Sequence, residues 1–100
     1  MSGERVIRHL NVIGRVQGVG FRAFVEEQAF RHQVEGWVRN RRDGSVEALL
    51  AGASGEVEAM IAACHKGPLG ARVDALYQRE GTDAELALRG IDLFSVLATA

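Results

Sequence analysis

The pattern of apolar and polar positions predicts a β-strand near the start of the chain and a helix directly after it. Residues 6–13 are rich in β-branched side chains, and Leu10 and Val12 fall on the same face of the expected strand. Over residues 21–32 the apolar positions instead recur at helical spacing, at Phe21, Phe24, Val25 and Ala29. The chain is therefore expected to turn from strand to helix within residues 14–20.

A hairpin and a second helix are predicted in the middle of the chain. Residues 36–42 and 45–50 are expected to be strands on either side of Asp43-Gly44, a dipeptide that favours a tight turn with positive φ. We expect Ser54 to cap the second helix and Gly67-Pro68 to end it. This helix carries one apolar stripe, formed by Val57, Met60, Ile61 and Cys64.

The last third of the chain is predicted to add two strands. Residues 72–78 and 93–98 have the strand pattern, and residues 80–90 are expected to form a loop with a helical turn over 84–88. The order β-α-β-β-α-β, with a short extra strand at the C-terminus, predicts the α+β class and a ferredoxin-like sandwich. In that fold two helices cover one face of a mostly antiparallel sheet, and residues 1–100 are expected to form a single domain.

The composition is that of an ordinary globular protein. Of the 100 residues, 47% are hydrophobic and 25% are charged, and the net charge is −1. This balance gives no general attraction for nucleic acid or for an anionic membrane. One cysteine excludes an internal disulfide, and no apolar run approaches the roughly 20 residues of a membrane span. Because the N-terminus also lacks the apolar core of a signal peptide, we expect a cytoplasmic protein.

Residues 14–22 combine three glycines with an arginine at the start of the predicted helix. Gly14, Gly18 and Gly20 allow a sharp turn that brings several backbone N–H groups to face one point. The helix N-terminus behind the turn adds partial positive charge, and Arg22 adds a planar cation. Together these features predict an anion-binding loop, and phosphate is the anion that fits best.

Other glycine-rich motifs fit this segment poorly. The Gly-Lys-Ser/Thr ending of a Walker P-loop is absent, and the glycine spacing differs from that of a dinucleotide-binding fingerprint. Residues 19–25 faintly resemble the aromatic motif of an RRM, but that motif lies on a central strand, whereas Phe21 and Phe24 are expected to face the core from a helix. The glycines alone would favour a simple strand-to-helix turn. Arg22 changes this balance, because an arginine in the first turn opposes the helix dipole unless an anion binds there.

Asn40 is the second candidate site residue. Asparagine is uncommon within strands, and its amide offers both a donor and an acceptor that could hold a water beside a ligand. Alone, it would be interpreted as a residue at the end of a hairpin. The neighbouring Arg39, Arg41 and Arg42 could form a basic surface for nucleic acid. Without an aromatic stacking surface or a positive net charge, a solvated hairpin edge is favoured.

Two segments in combination closely resemble the acylphosphatases. They are residues 14–22 (GRVQGVGFR) and residues 36–47, which contain the runs GWVRN and DGSVE. Gly67-Pro68 together with residues 71–74 (ARVD) adds a third match, and Phe94 with Val96 fits the closing strand of that family. The resemblance covers nearly the whole chain, from about Leu10 to Leu97, and two motifs of this length at the expected separation are highly specific.

The resemblance implies an enzyme that hydrolyses the carboxyl–phosphate bond of acyl phosphates to a carboxylate and inorganic phosphate. Arg22 and Asn40 match the catalytic residues of the family, in which the arginine holds the phosphoryl group and the asparagine orients the attacking water. Backbone amides of the loop are also expected to bind the phosphoryl group, and they match Arg15, Val16, Gln17, Gly18, Val19 and Gly20. No metal, cofactor or phosphoenzyme is implied. The expected protein is a monomer whose partners are an acyl phosphate and, as product and competitive ligand, inorganic phosphate.

Two alternatives remain open at this point. The same loop could hold phosphate or a carboxylate in a noncatalytic binding module. The chain could also be a relative of a domain that serves a larger, carbamoyl-phosphate-using maturation enzyme, although the absence of a linker and of zinc motifs in the sequence speaks against this.

A few residues depart from the family or carry no site. The first helix usually ends with an apolar residue and a glycine, where this chain has His32 and Gln33. Gln33 must therefore take a left-handed conformation or end the helix differently, at a cost of about 1 kcal/mol. The three histidines lack the spacing of metal ligands. Cys64 is expected to pack in the core and not to take part in redox chemistry.

Overall fold

The computed structural model describes residues 3–100, which form one five-stranded sheet, two long helices and a short helical segment. In chain order the elements are β1 (Arg5–Arg15), α1 (Phe21–His32), β2 (Glu35–Asn40), β3 (Val46–Ala53), α2 (Ser54–Lys66), β4 (Arg72–Glu80), α3 (Asp83–Leu86) with a 3-10 turn at Ala87–Arg89, and β5 (Phe94–Val96). This order is the predicted β-α-β-β-α-β arrangement with a short extra strand.

The sheet is mixed, with the strand order β4-β1-β3-β2-β5. Its neighbours are antiparallel except for β2 and β5, which are parallel. At the centre of the sheet, Leu10 of β1 lies opposite Ala48 of β3, and Val12 lies opposite Val46. The predicted α+β, ferredoxin-like class is confirmed.

Strand β3 has buried residues on both faces because it lies between two hydrophobic cores. Ala48 and Leu50 belong to the larger core, in which β1, β2 and β3 pack against α1 and α2. Leu49 and Ala51 point to the other side, since successive side chains of a strand alternate between faces. There they pack with Trp37 in a smaller cluster that also contains Leu86 of α3.

The hairpin between β2 and β3 is longer than the sequence predicts. The strands end at Asn40 and resume at Val46, so the loop comprises residues 41–45 rather than the two residues Asp43-Gly44. Gly44 does have positive φ, at 95°. The Asp43 carboxylate accepts hydrogen bonds from the backbone N–H of Ser45 (2.9 Å) and from its hydroxyl (2.6 Å), which folds the loop back on itself before the ladder begins.

Helix α1 has the predicted bounds, and Gln33 ends it in a left-handed conformation (φ 55°, ψ 45°). The N–H of Val34 donates to the carbonyl of Ala29 at 2.9 Å, and that of Gln33 donates to Phe30 at 3.3 Å. These bonds satisfy carbonyls that a helix end leaves free, so the departure from glycine at this position is accommodated.

Ser54 was predicted to cap α2, and this prediction is wrong. Ser54 is the first residue of the helix, and Ala53 occupies the cap position without a side-chain hydrogen bond. The physical reason is that β3 runs into α2 with no connecting loop, and the N–H of Ser54 donates to the carbonyl of Glu4 at 2.9 Å. Gly67 ends the helix as predicted, with its N–H donating to Ala63. Cys64 is buried in the larger core, also as predicted.

The boundaries of three strands differ from prediction at the outer parts of the sheet. β1 and β4 are longer than expected, whereas β5 keeps only three of the six residues predicted for it, Phe94–Val96. The helical turn expected over residues 84–88 is present as α3 and the 3-10 turn, and Thr82 and Glu85 form a reciprocal capping box at its start. Between residues 3 and 100, no helix has the length and apolar character that crossing a membrane would require.

Candidate active site

The loop that connects β1 to α1 turns at two glycines. Gly18 has φ 75° and Gly20, at the cap position of α1, has φ 80°. A Cβ atom added at either residue would meet no atom within 4 Å. Glycine is therefore suited to these positions by its backbone conformation rather than by lack of space.

Backbone N–H groups in this loop are free to bind a ligand. Among residues 3–100, no acceptor pairs with the N–H groups of residues 16–20, although the carbonyl of Gly20 accepts from Phe24 at 3.0 Å. The first N–H groups of α1 follow directly. They have no partner within the helix, because no helical carbonyl lies four residues before them. The loop and the helix end thus present several donors and the positive end of a helix dipole.

Arg22 lies in the first turn of α1, is exposed and forms no ion pair within the described part of the chain. No acidic residue is present in that turn. A cation at a helix N-terminus is unfavourable by a few tenths of a kcal/mol up to about 1 kcal/mol, and a bound anion would reverse the sign of that interaction. The position of Arg22 is therefore suited to an anion held at the helix end.

A cavity of about 420 Å³ brings the loop together with residues from other elements. Its walls come from the loop, the first turns of α1, the end of β2 and strand β5, and they are formed by Val16, Gln17, Gly18, Gly20, Phe21, Arg22, Ala23, Glu26, Asn40 and Val96. Arg22 and Asn40, both predicted from the sequence, thus line the same cavity. The predicted Arg15 and Val19 do not line it. Arg15 lies opposite Arg72 in the ladder between β1 and β4, and Val19 packs against the larger core.

Asn40 is held by its backbone on both sides. It lies opposite Val46 in the ladder with β3, and its carbonyl accepts from the N–H of Ala100 at 3.0 Å. Its half-buried side chain makes no hydrogen bond to any other described residue. The strand and the C-terminal residue therefore fix the position of Asn40 while its amide stays available to the cavity.

Gln17 connects the loop to the hairpin, and sequence reasoning missed this role of its side chain. Its Nε2 donates to the carbonyl of Arg41 at 2.7 Å and to that of Ser45 at 2.9 Å. Both acceptors lie in the hairpin loop directly after Asn40. One side chain thus links the two parts of the cavity that carry Arg22 and Asn40.

The hairpin is braced on the opposite face of the sheet by Glu47. Its carboxylate accepts from Arg39 Nε at 2.6 Å and Arg41 Nη1 at 3.0 Å, and it lies 2.6 Å from His9 Nε2. Burial raises the pKa of Glu47, but the hydrogen bonds from Arg39, His9 and Arg41 outweigh it and hold the pKa at about 2. Two arginines of the basic run therefore neutralise a carboxylate instead of offering a surface to nucleic acid.

Two of the three histidines pair with carboxylates. His9 contacts Glu47, and His32 Nδ1 lies 2.8 Å from Glu56. Across residues 3–100 there is no group of three or more histidine, cysteine, aspartate and glutamate side chains arranged to hold a metal ion.

Comparison with known proteins agrees with this geometry. The sequence model of the Acylphosphatase family matches residues 8–87. An acylphosphatase of Rhodopseudomonas palustris (strain BisB18) is 54% identical over 95 residues, which cover 94% of this chain and 96% of that protein. The crystal structure of acylphosphatase from Bacillus subtilis is similar to this structure with a TM-score of 0.81 and 35% identity, over 92% of this chain and 98% of that one.

A larger protein contains a similar unit. Full-length HypF, in the phosphate- and nucleotide-bound form, matches 96% of this chain with a TM-score of 0.82 and 26% identity, but the match covers only 12% of HypF. The family match extends over most of the present sequence and the relatives agree with it in length and fold. The chain therefore belongs to the acylphosphatase family.

Proposed function

We propose how individual residues of this chain carry out the hydrolysis of acyl phosphates, the activity of its family. Arg22 and the backbone N–H groups of residues 15–20 bind the phosphoryl group, and Asn40 orients the attacking water. The observation that supports this assignment is the shared cavity. It is bordered by Arg22, which has no ion pair, by Asn40 with its free side-chain amide, and by Val16, Gln17, Gly18 and Gly20, whose N–H groups have no acceptor in residues 3–100.

The reaction needs positioning and charge stabilisation more than it needs acid or base groups. The water oxygen bonds to phosphorus while the bond between phosphorus and the acyl oxygen breaks, and the electron pair of that bond leaves with the carboxylate. One water proton passes to a phosphoryl oxygen of the substrate, which yields dihydrogen phosphate and accounts for the lack of a dedicated base. A carboxylate is a stable leaving group, so no general acid is required.

Arg22 is expected to lower the activation barrier more than a single loop amide or Asn40 does. A preorganised donor aimed at developing charge contributes roughly 3 to 4 kcal/mol, or 10²- to 10³-fold in kcat. Arg22 combines such donors in a planar fork with a full positive charge, so its loss should exceed that of a single amide. Asn40 acts on the water alone, so its removal should reduce kcat by about 10²-fold.

Hydrolysis of an aryl-acyl phosphate in the presence of a chelator tests these roles. We expect Arg22→Ala to lower kcat/KM by about 10³-fold or more, and Asn40→Ala to lower kcat while leaving phosphate affinity within a few-fold. Arg72→Ala is the matched control, because Arg72 is an exposed arginine on β4 that lines neither the loop nor the cavity. Full activity of Asn40→Ala would contradict the water-positioning role, and a parent protein that binds phosphate without turnover would indicate a noncatalytic binding module.

The same proposal covers the conditions under which the enzyme works. The residues of the cavity can supply the chemistry without a metal, so activity should survive exhaustive chelation and should not rise on addition of magnesium. Inorganic phosphate should inhibit competitively, because it binds where Arg22 and the loop amides hold the phosphoryl group of the substrate. We further propose a cytoplasmic monomer, which light scattering at assay concentration and fractionation of cells would test.

A further inference from the structure

A second and larger groove, of about 870 Å³, opens beside the active-site cavity. It lies between the C-terminal half of α1 and the segment that leads into β5. Its lining is formed by Glu26, Ala29, Phe30, Arg31, Gln33, Val34, Glu35, Asp92, Leu93 and Phe94. No step of the hydrolysis described above uses this groove.

The groove adjoins the cavity at Glu26, which lines both. Arg22, Glu26 and Phe30 follow one another at intervals of four residues, so a single face of α1 runs from the cavity into the groove. The rise of α1 places Arg22 and Phe30 about 12 Å apart along the helix axis. On the opposite wall, Val96 lines the cavity and Phe94, on the same side of β5, lines the groove.

Two large apolar side chains are exposed at the rim of the groove. Phe30 is 86% exposed and Leu93 is 70% exposed, while Phe94 below them is half-buried against the larger core. A single exposed apolar residue is ordinary, but two that flank one groove offer an apolar surface to a molecule in it.

The junction between cavity and groove carries a negative charge that the protein leaves unbalanced. Glu26 forms no ion pair or hydrogen bond with another residue of the range 3–100. Of the other charged residues in the groove, Glu35 pairs with Arg5 and Arg89, and Arg31 pairs with Glu27, whereas the Asp92 carboxylate forms no ion pair among residues 3–100. Glu26 is thus the acidic group at the junction of the two spaces, and Asp92 adds a second negative charge within the groove.

We propose that the groove binds the acyl part of the substrate, and that Glu26 selects uncharged, mainly apolar acyl groups over those with a second negative charge. This inference rests on the proposed function, since it requires the phosphoryl group to lie at Arg22. Asn40 lines the cavity and not the groove, so an acyl group in the groove leaves the Asn40 side of the phosphoryl group open to water.

Three substrates separate the contributions of size and charge. Acetyl phosphate is too small to reach the groove, benzoyl phosphate carries an apolar ring into it, and succinyl phosphate carries a second carboxylate past Glu26. Glu26→Gln should raise the kcat/KM ratio of succinyl to benzoyl phosphate by about three- to tenfold, because a partly screened charge a few ångströms away is removed. Leu93→Ser should raise the KM of benzoyl phosphate by about three- to tenfold while acetyl phosphate changes by less than twofold.

Matched controls exclude general effects of charge and of surface polarity. Glu58→Gln removes the same charge from an exposed position on α2 that lines neither space, and Leu69→Ser makes the same change at an exposed leucine outside the groove. Both should leave the substrate ratios within twofold of the parent. Because each ratio is compared with that of the parent protein, the different intrinsic reactivities of the three substrates cancel.

The outcomes distinguish this inference from the proposed function. If acetyl phosphate is hydrolysed and Arg22→Ala abolishes that activity, yet Glu26→Gln and Leu93→Ser leave every ratio unchanged, the groove does not bind the acyl group. An equal loss of kcat on all three substrates in Glu26→Gln would instead assign Glu26 to the chemical step and overturn its role in selection. If no acyl phosphate is hydrolysed at all, the proposed function fails and the groove assignment fails with it.

Discussion

Replacing Gln17 with methionine should loosen the loop from the hairpin while leaving Arg22 in place. Methionine has nearly the length of glutamine but cannot donate the hydrogen bonds that Gln17 Nε2 makes to Arg41 and Ser45, at 2.7 and 2.9 Å. The substitution therefore tests whether the link between the two halves of the cavity matters for the reaction.

The expected loss of stability depends on whether the carbonyls of Arg41 and Ser45 keep another hydrogen-bond donor. A hydrogen bond between neutral groups contributes about 0.5 to 1.5 kcal/mol net, so two would contribute about 1 to 3 kcal/mol. Each carbonyl retains one backbone donor after the change, since Gly44 donates to Arg41 and Arg41 donates to Ser45. Neither acceptor is left without a partner, and we therefore expect the lower part of this range, about 1 to 2 kcal/mol.

The expected effect on catalysis is larger than that on binding. Arg22 and the loop amides remain on one side of the cavity, so phosphate inhibition should change by no more than a few-fold. Asn40 belongs to the other side, and a displacement of about 1 Å between reacting groups can cost about 10²-fold in rate. We expect kcat on benzoyl phosphate to fall by about 10- to 100-fold.

Urea unfolding, steady-state kinetics and phosphate inhibition of the same preparation provide the three measurements. Gln28→Met is the matched control, because Gln28 lies on α1 and its side chain has no hydrogen-bond partner among residues 3–100. It should be close to the parent in all three. A Gln17→Met protein with lowered stability but unchanged kcat would show that the two hydrogen bonds only stabilise the fold, and the positioning role would be rejected.

Three further predictions concern pH, backbone conformation and the thiol. The pKa of Glu47, about 2, lies below its ordinary value of 4.5, so its stabilising contribution is complete above pH 4.5 and disappears as the pH falls toward 2. A shift of this size corresponds to about 3 kcal/mol, and in Glu47→Gln the urea midpoint should lose that part of its pH dependence; an unchanged acid profile would contradict the assignment. Gly20→Ala should cost about 1 to 2 kcal/mol in urea unfolding, because φ is 80° there and no clash adds to the strain, whereas a neutral effect would mean that the loop relaxes. Burial raises the pKa of the Cys64 thiol to about 12, so a thiol reagent at pH 8 should label it only in denaturant, and fast labelling of the folded protein would contradict this.

The elements with a strong local pattern could be predicted from the sequence. Leu10 and Val12 alternate toward the core, and the apolar positions of α1 recur at helical spacing, so both elements were placed close to their observed bounds. Arg22 and Asn40 are predicted as site residues because short motifs surround each of them, and the structure places both in the lining of one cavity. These features depend on neighbours within a few residues, which a single sequence displays directly.

The features that were missed depend on contacts between distant parts of the chain. Trp37 donates to the carbonyl of Glu85 at 2.8 Å and packs with Leu86, a contact across nearly fifty residues that no periodicity signals. The amide of Gln17 likewise finds its acceptors on another loop. Glu26 is different, because it follows Arg22 by four residues, and this helical spacing was a usable signal that a charged residue borders the same site.

The topology explains why residues so far apart in sequence share one cavity. β1 and β2 are each antiparallel to β3, so they run in the same direction, and β5 is parallel to β2. The carboxyl ends of all three strands therefore lie at one edge of the sheet, where the loop after β1, Asn40 at the end of β2 and Val96 at the end of β5 meet.

The alternation of side chains along β2 then decides which residue enters the cavity. Val38 belongs to the core beneath the helices, and Asn40, two positions later, faces the same side. Arg39 lies between them and points to the opposite face, where it donates to Glu47 and stacks on the ring of Trp37 at 4.8 Å. An asparagine at position 39 would meet that ion pair instead of the cavity, so the position of Asn40 in the motif is fixed by the pleat of the strand as much as by the chemistry of its amide.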